Sequence, residues 1–98
     1  MSYYVCHCPD DEEQGKPSWH VLIVGRFFSV CIKSFSSKAD AYEFEAWIRG
    51  YDIQEAKGIE QWIFELRSMS VELEDRICKA IERIEEQWIA FKNSPKAE

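Results

Sequence analysis

The sequence has little of what marks membrane, secreted and nucleotide-binding proteins. No apolar run approaches the roughly 20 residues of a membrane span. The stretch from Met1 to Pro9 has neither a basic start nor an apolar segment, so no secretory signal is expected. The 4 glycines are scattered, which leaves no glycine-rich phosphate-binding loop. The sequence therefore predicts a cytoplasmic protein without a cofactor.

Basic residues are in the minority, and histidine is scarce. There are 12 Lys and Arg against 18 Asp and Glu, which gives a formal net charge of -6. This charge argues against binding to the phosphate backbone of nucleic acids and favours a basic protein partner or simple solubility. The two histidines, His7 and His20, accompany no recognisable nucleophile motif, so no enzyme is predicted.

The four cysteines are expected to be reduced thiols, because no secretory signal accompanies them. Cys6 and Cys8 alternate along a predicted strand and therefore share one face. The predicted hairpin places His20 opposite Cys31. If the first strand pairs alongside, the thiols of Cys6 and Cys8 could face the same side as these two residues. Three thiols and one imidazole form a known zinc ligand set, but the spacing of Cys6 and Cys8 is unusual for zinc. We favour small apolar side chains on a half-buried sheet face, with a small metal-binding domain as the lesser alternative.

Residues 1–35 are predicted to form a three-stranded antiparallel meander. Segments 2–8, 19–24 and 27–35 are rich in the aromatic and β-branched residues typical of strands. The connection 9–18 is acidic and contains glycine and proline, which predicts an exposed loop.

The hairpin between the second and third predicted strands sets their register. Only Gly25 and Arg26 separate the two apolar runs, which indicates a two-residue type II′ turn with a positive φ at the glycine. The resulting pairs form the predicted core face: Ile23 with Phe28, Val21 with Val30, and Trp19 with Ile32.

Residues 36–92 are predicted to form three helices. Ser37 with Asp40, and Asp52 with Glu55, form two capping boxes, and Ser70 caps a third helix running to about residue 92. Apolar stripes at helical spacing support them: Ala41, Phe44, Ile48 and Tyr51; Ala56, Ile59, Ile63 and Leu66; Leu73, Ile77, Ile81, Ile84, Trp88 and Phe91. The chain is thus predicted to be one α+β domain, 1–98, with its helices on one face of the sheet and a polar tail at 93–98.

The third predicted helix is also expected to mediate a homodimer. Its apolar spacing ends in Trp88, Ile89 and Phe91. A three-stranded sheet covers two helices more easily than three. Part of the stripe is therefore expected to be exposed in the monomer and to pair with a second copy.

The acidic residues suggest a second kind of surface. One cluster lies in the predicted loop: Asp10, Asp11, Glu12 and Glu13. Another begins the third helix: Glu72, Glu74 and Asp75. A charge-rich helix face is commonly just solvated. The sharper hypothesis is that these seven carboxylates bind a basic protein, such as a nucleic-acid-binding subunit, in place of its nucleic acid.

Between Phe35 and Glu60 a strand ends in Phe-x-Ser, Glu45 and Trp47 follow with the spacing Glu-x-Trp, and Gly58 precedes Ile-Glu. This stretch resembles a small phage anti-CRISPR protein of the type I-F group. That family inhibits a CRISPR surveillance complex by binding its protein subunits. The resemblance implies a phage inhibitor that acts by protein binding, and it carries over no binding residue.

A second set of residues comprises Trp19, Gly25, Phe35, Ser36, Lys38 and Ala41. It resembles the arm-type DNA-binding domain of phage integrases, which reads DNA with basic and polar sheet residues. Here the sheet offers mainly Arg26 and Lys33. The preferred hypothesis is therefore a small acidic protein-binding inhibitor, and the alternative is a DNA-binding accessory domain of a mobile element.

Overall fold

The computed structural model describes residues 3–94, and within them the chain forms an α+β fold. Three strands pair antiparallel in chain order as an open sheet, so the predicted fold class is confirmed. The elements are β1 Tyr3–His7, α1 Pro9–Glu13, β2 Trp19–Val24, β3 Ser29–Phe35, α2 Lys38–Gly50, α3 Gln54–Ile63 and α4 Val71–Asn93. No helix in this range is long and apolar enough to cross a membrane. Ser2 of the predicted first strand and most of the predicted tail lie outside the described residues.

The acidic connection between β1 and β2 is partly helical, so the prediction of a loop throughout 9–18 is wrong. Pro9 stands in the first turn of α1, where the fixed φ of proline suits a helix start. Gly15, with a φ of 74°, follows the end of the helix. The Cys8 amide donates to the Ser18 carbonyl at 2.8 Å and closes the connection. Because α1 buries no residue, it has no apolar stripe that periodicity could detect.

The hairpin loop between β2 and β3 is longer than predicted. Strand β3 begins at Ser29, and the Gly25 amide donates to the Phe28 carbonyl at 2.9 Å. Ile23 therefore pairs with Val30 rather than with Phe28. The φ of Gly25 is not positive, so the predicted type II′ turn is wrong.

The end of α3 accounts for this loop. The Arg26 amide donates to the Phe64 carbonyl at 3.0 Å. A Cβ built on Gly25 would lie 2.5 Å from the Ile63 carbonyl oxygen. Glycine is required here for close backbone approach rather than for left-handed geometry.

A β-bulge then shifts the register inside the hairpin. Leu22 pairs with Cys31, but Val21 pairs with Lys33, so Ile32 is an extra residue in β3. The bulge changes which side chains of β3 stand opposite those of β2 from this point to the end of the ladder.

The other two predicted pairs, Val21 with Val30 and Trp19 with Ile32, are also wrong, because the longer loop and the bulge both shift the register; Trp19 lies opposite Phe35. The composition of the predicted core face is nevertheless confirmed. Its members are buried or packed against the buried cluster: Val21, Ile23, Ile32, Trp19, Phe28 and Val30.

The core lies between that sheet face and helices α2, α3 and α4, with an aromatic group at its centre. The Trp88 ring of α4 lies 5.1 Å from the Phe44 ring and 5.2 Å from the Trp47 ring, between centroids. The Phe35 ring of β3 lies 6.4 Å from it. Trp88 therefore joins the last helix to both the sheet and α2, and it is only 6% exposed.

Two of the three predicted helix caps are confirmed. The Ser37 hydroxyl accepts from the Asp40 amide at 3.3 Å at the start of α2. The Ser70 hydroxyl accepts from the Leu73 amide at 3.1 Å at the start of α4. Each bond satisfies an amide that has no partner within the helix.

The predicted cap at Asp52 is wrong. Asp52 has a φ of 57°, its carboxylate pairs with Lys57, and Ile53 occupies the N-cap position of α3 without a side-chain bond. Two residues of the predicted stripes lie beyond the ends of their helices. Tyr51 is 63% exposed, and Leu66 follows the end of α3.

Most of the α4 stripe is covered within the chain. Its buried and half-buried members are Leu73, Ile77, Ile81, Ile84 and Trp88. Near the end of the helix, Phe91 is 39% exposed and Ile89 is 51% exposed. A homodimer through this helix stays a prediction, and these last turns are the surface it would use.

Candidate functional site

Helices α2, α3 and α4 pack on one face of the sheet, and two rows of side chains cross the opposite, open face. One row consists of Tyr4, Leu22 and Cys31. The next row consists of Cys6, His20 and Ser34. Helix α1 lies beside the second row, because its Asp11 reaches His20.

His20 lies in the middle of a chain of four polar side chains. Its Nε2 atom is 2.9 Å from Asp11 Oδ2, and its Nδ1 atom is 2.7 Å from Ser34 Oγ. The Cys31 Sγ atom is 3.5 Å from Ser34 Oγ and 4.0 Å from His20 Nδ1. We term Asp11, His20, Ser34 and Cys31 the His20 relay.

The protonation of Asp11 sets the direction of these bonds. The hydrogen bond from His20, reinforced by one from Cys8, lowers the Asp11 pKa below its ordinary value of 3.8. A carboxylate only accepts, so His20 donates through Nε2. In the neutral imidazole Nδ1 then accepts the Ser34 hydroxyl proton. The Cys31 thiol lies 3.7 Å from the Lys33 carbonyl oxygen, to which it can donate, and 3.5 Å from the Ser34 oxygen, which remains free to accept. When the thiol donates to Ser34, the relay provides a proton path from Cys31 to His20.

The predicted metal candidates lie on or near the open face. His20 stands opposite Ser34 rather than Cys31, because the longer hairpin loop and the bulge together shift β3, so that predicted pairing is wrong. Cys6 is paired with His20 from β1, and Cys8 precedes α1. The cysteines are free thiols. Across residues 3–94, no group of three or more His, Cys, Asp or Glu is arranged to hold a metal ion.

The predicted acidic cluster on α1 divides into two kinds of residue. Asp11 accepts from His20, so it is part of the relay rather than a free surface charge. Glu12 Oε2 lies 3.8 Å from His7 Nε2. Asp10 and Glu13 are exposed and form no ion pair with any residue between 3 and 94. These two carboxylates are the ones available to a partner.

The second predicted cluster stands at the start of α4. Glu72 and Glu74 are exposed and without an ion pair in the described range, and Asp75 pairs with Lys79 at 3.1 Å. Helix α1 adjoins the Trp19 end of β2, whereas α4 begins beyond the end of α3, which contacts the hairpin loop. The two clusters therefore lie toward opposite ends of the sheet and do not form one patch.

Further carboxylates extend the second cluster along α4. Glu82 and Glu86 are exposed and follow Glu72 and Asp75 at helical spacing. Because an α-helix rises 1.5 Å per residue, this acidic stripe is about 21 Å long. It comprises Glu72, Asp75, Glu82 and Glu86, interrupted only by the basic side chain of Lys79.

Positive charge gathers instead in a cleft of about 290 Å³ between α3 and α4. Arg76, Lys79 and Arg83 line it from α4. The Arg76 guanidinium lies 5.4 Å from the centroid of the Trp62 ring on α3. The cations that line this cleft therefore lie beside the carboxylates of the acidic stripe, and Lys79 belongs to both sets. The spacing 76, 79, 83 was visible in the sequence, but sequence reasoning missed it.

Most other basic side chains are engaged within the chain. Five form ion pairs with carboxylates: Arg26, Lys33, Arg49, Lys57 and Lys92. Two more lie over aromatic rings: Lys38 and Arg67. The negative charge that remains unneutralised is thus concentrated on α1 and on α4.

Sequence reasoning also missed the role of Ser34 and took Asp11 for a free charge. The predicted register placed Cys31 directly opposite His20, and no local pattern indicates the longer hairpin loop and the bulge at Ile32, which together bring Ser34 there. Helix α1, which places Asp11 next to His20, was likewise not predictable from the sequence, because it buries no apolar side chain.

The chain matches no protein-family model. Among curated proteins and solved structures there is likewise no match. Its fold and the geometry of its surface are therefore the basis for assigning a function.

Proposed function

We propose that this protein is a non-enzymatic inhibitor that binds a basic surface of another protein. The supporting observation is the distribution of charge. Outside the cleft, most basic side chains are engaged within the chain, while exposed carboxylates on α1 and α4 have no cation among residues 3–94. Such carboxylates can pair with Lys and Arg of a partner without first breaking an internal ion pair.

The acidic stripe supports a groove that normally holds nucleic acid as the target. A phosphate backbone is a line of regularly spaced anions, and basic grooves are shaped for it. Glu72, Glu82 and Glu86 place three carboxylates along one helix, with gaps of about 15 Å and 6 Å along its axis. Exposed charges of this kind steer association, so they raise the rate of binding more than they slow dissociation.

Within this class we propose a phage or mobile-element protein of the anti-CRISPR kind, acting in the cytoplasm on a type I-F surveillance complex. The sequence resemblance between Phe35 and Glu60 supports that choice of target. The binding surface is argued separately, from the charges on α1 and α4.

The test measures association with a purified, immobilised type I-F surveillance complex. Three double variants change the net charge equally: Asp10→Lys with Glu13→Lys, Glu72→Lys with Glu74→Lys, and Glu82→Lys with Glu86→Lys. We expect at least one of them to lower the association rate about tenfold and to weaken its salt dependence. Association rates equal to wild type in all three would remove the acidic surface from the proposal.

Two further measurements test the identity of the target and the class of function separately. Absence of binding to the complex, together with unimpaired CRISPR interference against a phage, would refute the anti-CRISPR assignment. Retention on duplex DNA at low salt that is lost in Arg26→Ala or Lys33→Ala would instead support the DNA-binding alternative.

A further inference from the structure

Cys31 occupies a position that none of the other cysteines shares. It is exposed on the open sheet face, and its thiol contacts the Ser34 hydroxyl at 3.5 Å. That hydroxyl in turn reaches His20, which Asp11 orients. Cys78 is also exposed, on α4, but its thiol contacts no hydrogen-bonding group in the described part of the chain. The two exposed thiols therefore differ in the relay and in the Lys33 carbonyl oxygen, which lies 3.7 Å from the Cys31 thiol.

The relay has the parts that activate a nucleophile. The reactive form of cysteine is the thiolate, so its reaction needs an acceptor for the thiol proton. In activated nucleophiles a base lies within reach and a third group orients that base. Here the base is His20, and the group that orients it is Asp11, 2.9 Å away. Ser34 bridges Cys31 and the base, with its oxygen 2.7 Å from Nδ1.

We propose that Cys31 is a modification site that reacts with small disulfides of the glutathione type. The Cys31 thiolate attacks one sulfur of the disulfide, and a new S–S bond forms as the original S–S bond breaks. The thiol proton passes through Ser34 to His20 and then to the departing thiolate. The products are Cys31 joined to one half of the disulfide and one free thiol, so no other oxidant is needed.

The surroundings of Cys31 suit a small disulfide. Leu22 stands beside Cys31 and Tyr4 beyond it in the same row of the open face, and Tyr4 is 60% exposed. A flexible, low-molecular-weight disulfide can reach this face without any part of the fold moving. The inference does not rest on the proposed partner: Ser34 and Cys31 lie outside the acidic clusters, and Asp11, the relay member on α1, is already engaged with His20.

The experiment compares two proteins that each keep one exposed thiol. In both, Cys6→Ala and Cys8→Ser remove the half-buried thiols, and serine keeps a donor near Asp11. One protein then carries Cys78→Ala and keeps Cys31, and the other carries Cys31→Ala and keeps Cys78. Each is mixed with oxidised glutathione, and the mixed disulfide is quantified over time by intact mass. We expect Cys31 to react at least about tenfold faster than Cys78 near neutral pH.

Relay variants decide whether the geometry causes that difference. Ser34→Ala and Asp11→Asn are expected to bring the Cys31 rate down to that of Cys78, and Ser34→Thr, which keeps the hydroxyl, to retain it. The same changes in the Cys78 protein are expected to leave its rate unaltered. Thermal unfolding selects variants that stay folded. Equal rates for the two thiols, or a fast Cys31 rate that survives both Ser34→Ala and Asp11→Asn, would overturn the proposal.

Discussion

The backbone of Gly25 in the β2–β3 hairpin meets the backbone of Ile63 at the end of α3. A Cβ on Gly25 would stand 2.5 Å from the Ile63 carbonyl oxygen, closer than real Cβ atoms approach. The neighbouring Arg26 amide bonds to Phe64 at 3.0 Å. The hairpin loop and the end of α3 therefore form one joint. The two backbones can approach this closely only because residue 25 is glycine and carries no Cβ.

Gly25→Ala is expected to lower the free energy of unfolding by about 1–3 kcal/mol, because two backbone segments must move apart. Gly50→Ala is the matched control. No atom lies within 4 Å of a Cβ at Gly50, the last residue of α2. Alanine there is expected to raise stability by about 0.5–1 kcal/mol. Urea unfolding measures the stability of both variants. An unchanged free energy of unfolding in Gly25→Ala would show that the two backbone segments can move apart without loss of stability.

Trp88→Ala is expected to destabilise the fold by about 3–5 kcal/mol, because it removes the ring that contacts Phe35, Phe44 and Trp47. Its neighbour Ile89 is 51% exposed, and Ile89→Ala is expected to change stability by no more than about 0.5 kcal/mol. Chemical unfolding of the two variants gives the comparison. A similar loss of unfolding free energy in both variants would show that Trp88 is not the residue through which α4 contributes most to the core.

The Asp11 carboxylate is expected to make stability depend on pH in the acid range. Its pKa is lowered in the folded protein, chiefly by the hydrogen bond from His20, whereas the unfolded chain titrates near 3.8. On acidification the unfolded state binds the proton first. The stabilisation is therefore complete above the unfolded pKa and is lost as the pH falls through the folded pKa. Urea unfolding at a series of pH values should show the gap between wild type and Asp11→Asn closing below about pH 4.

Asp10→Asn is the control for that titration, because Asp10 is exposed and forms no ion pair within residues 3–94. Its stability curve is expected to follow that of the wild type. A constant difference between wild type and Asp11→Asn from neutral to strongly acidic pH would argue against the bond to His20.

Tyr3 is expected to give a second pH dependence, at the alkaline end. Burial, followed by the charges of Glu60 and Asp52, raises the pKa of Tyr3 from 10.0 to about 12. Between these values the unfolded chain loses the phenol proton while the folded chain keeps it. Stability from Tyr3 is thus present below pH 10 and is lost as the pH rises toward 12.

Absorbance of the phenolate follows this titration directly. Tyr3→Phe is expected to remove the highest-pH step, whereas Tyr4→Phe, at a position that is 60% exposed, is expected to leave it in place. If both variants retain that step, another tyrosine is the buried one.

The parts of the fold that follow from neighbouring residues were predictable. Ser37 and Ser70 cap their helices because a hydroxyl and an amide three residues later meet in any helix start. The core face of the hairpin was also predictable, because alternation along a strand does not depend on its partner.

The register was not predictable, because the constraint on Gly25 comes from Ile63, a residue that is remote in the sequence. The bulge at Ile32 has no local signature, yet it places Ser34 opposite His20. The His20 relay therefore depends on tertiary structure and cannot be predicted from a sequence motif. The acidic clusters were visible in the sequence, but only the structure shows that Asp11 is engaged and that the clusters lie far apart.

The place of Trp88 in the last helix has a consequence during synthesis on the ribosome. The nascent chain exposes the rings of Phe35, Phe44 and Trp47 until α4 has emerged and supplies the ring that covers them. Sheet and α2 can form earlier, but their shared apolar surface stays open to chaperones and to other nascent chains. Packing of these three rings is thus complete only once α4 has docked, whatever the order in which the other elements form.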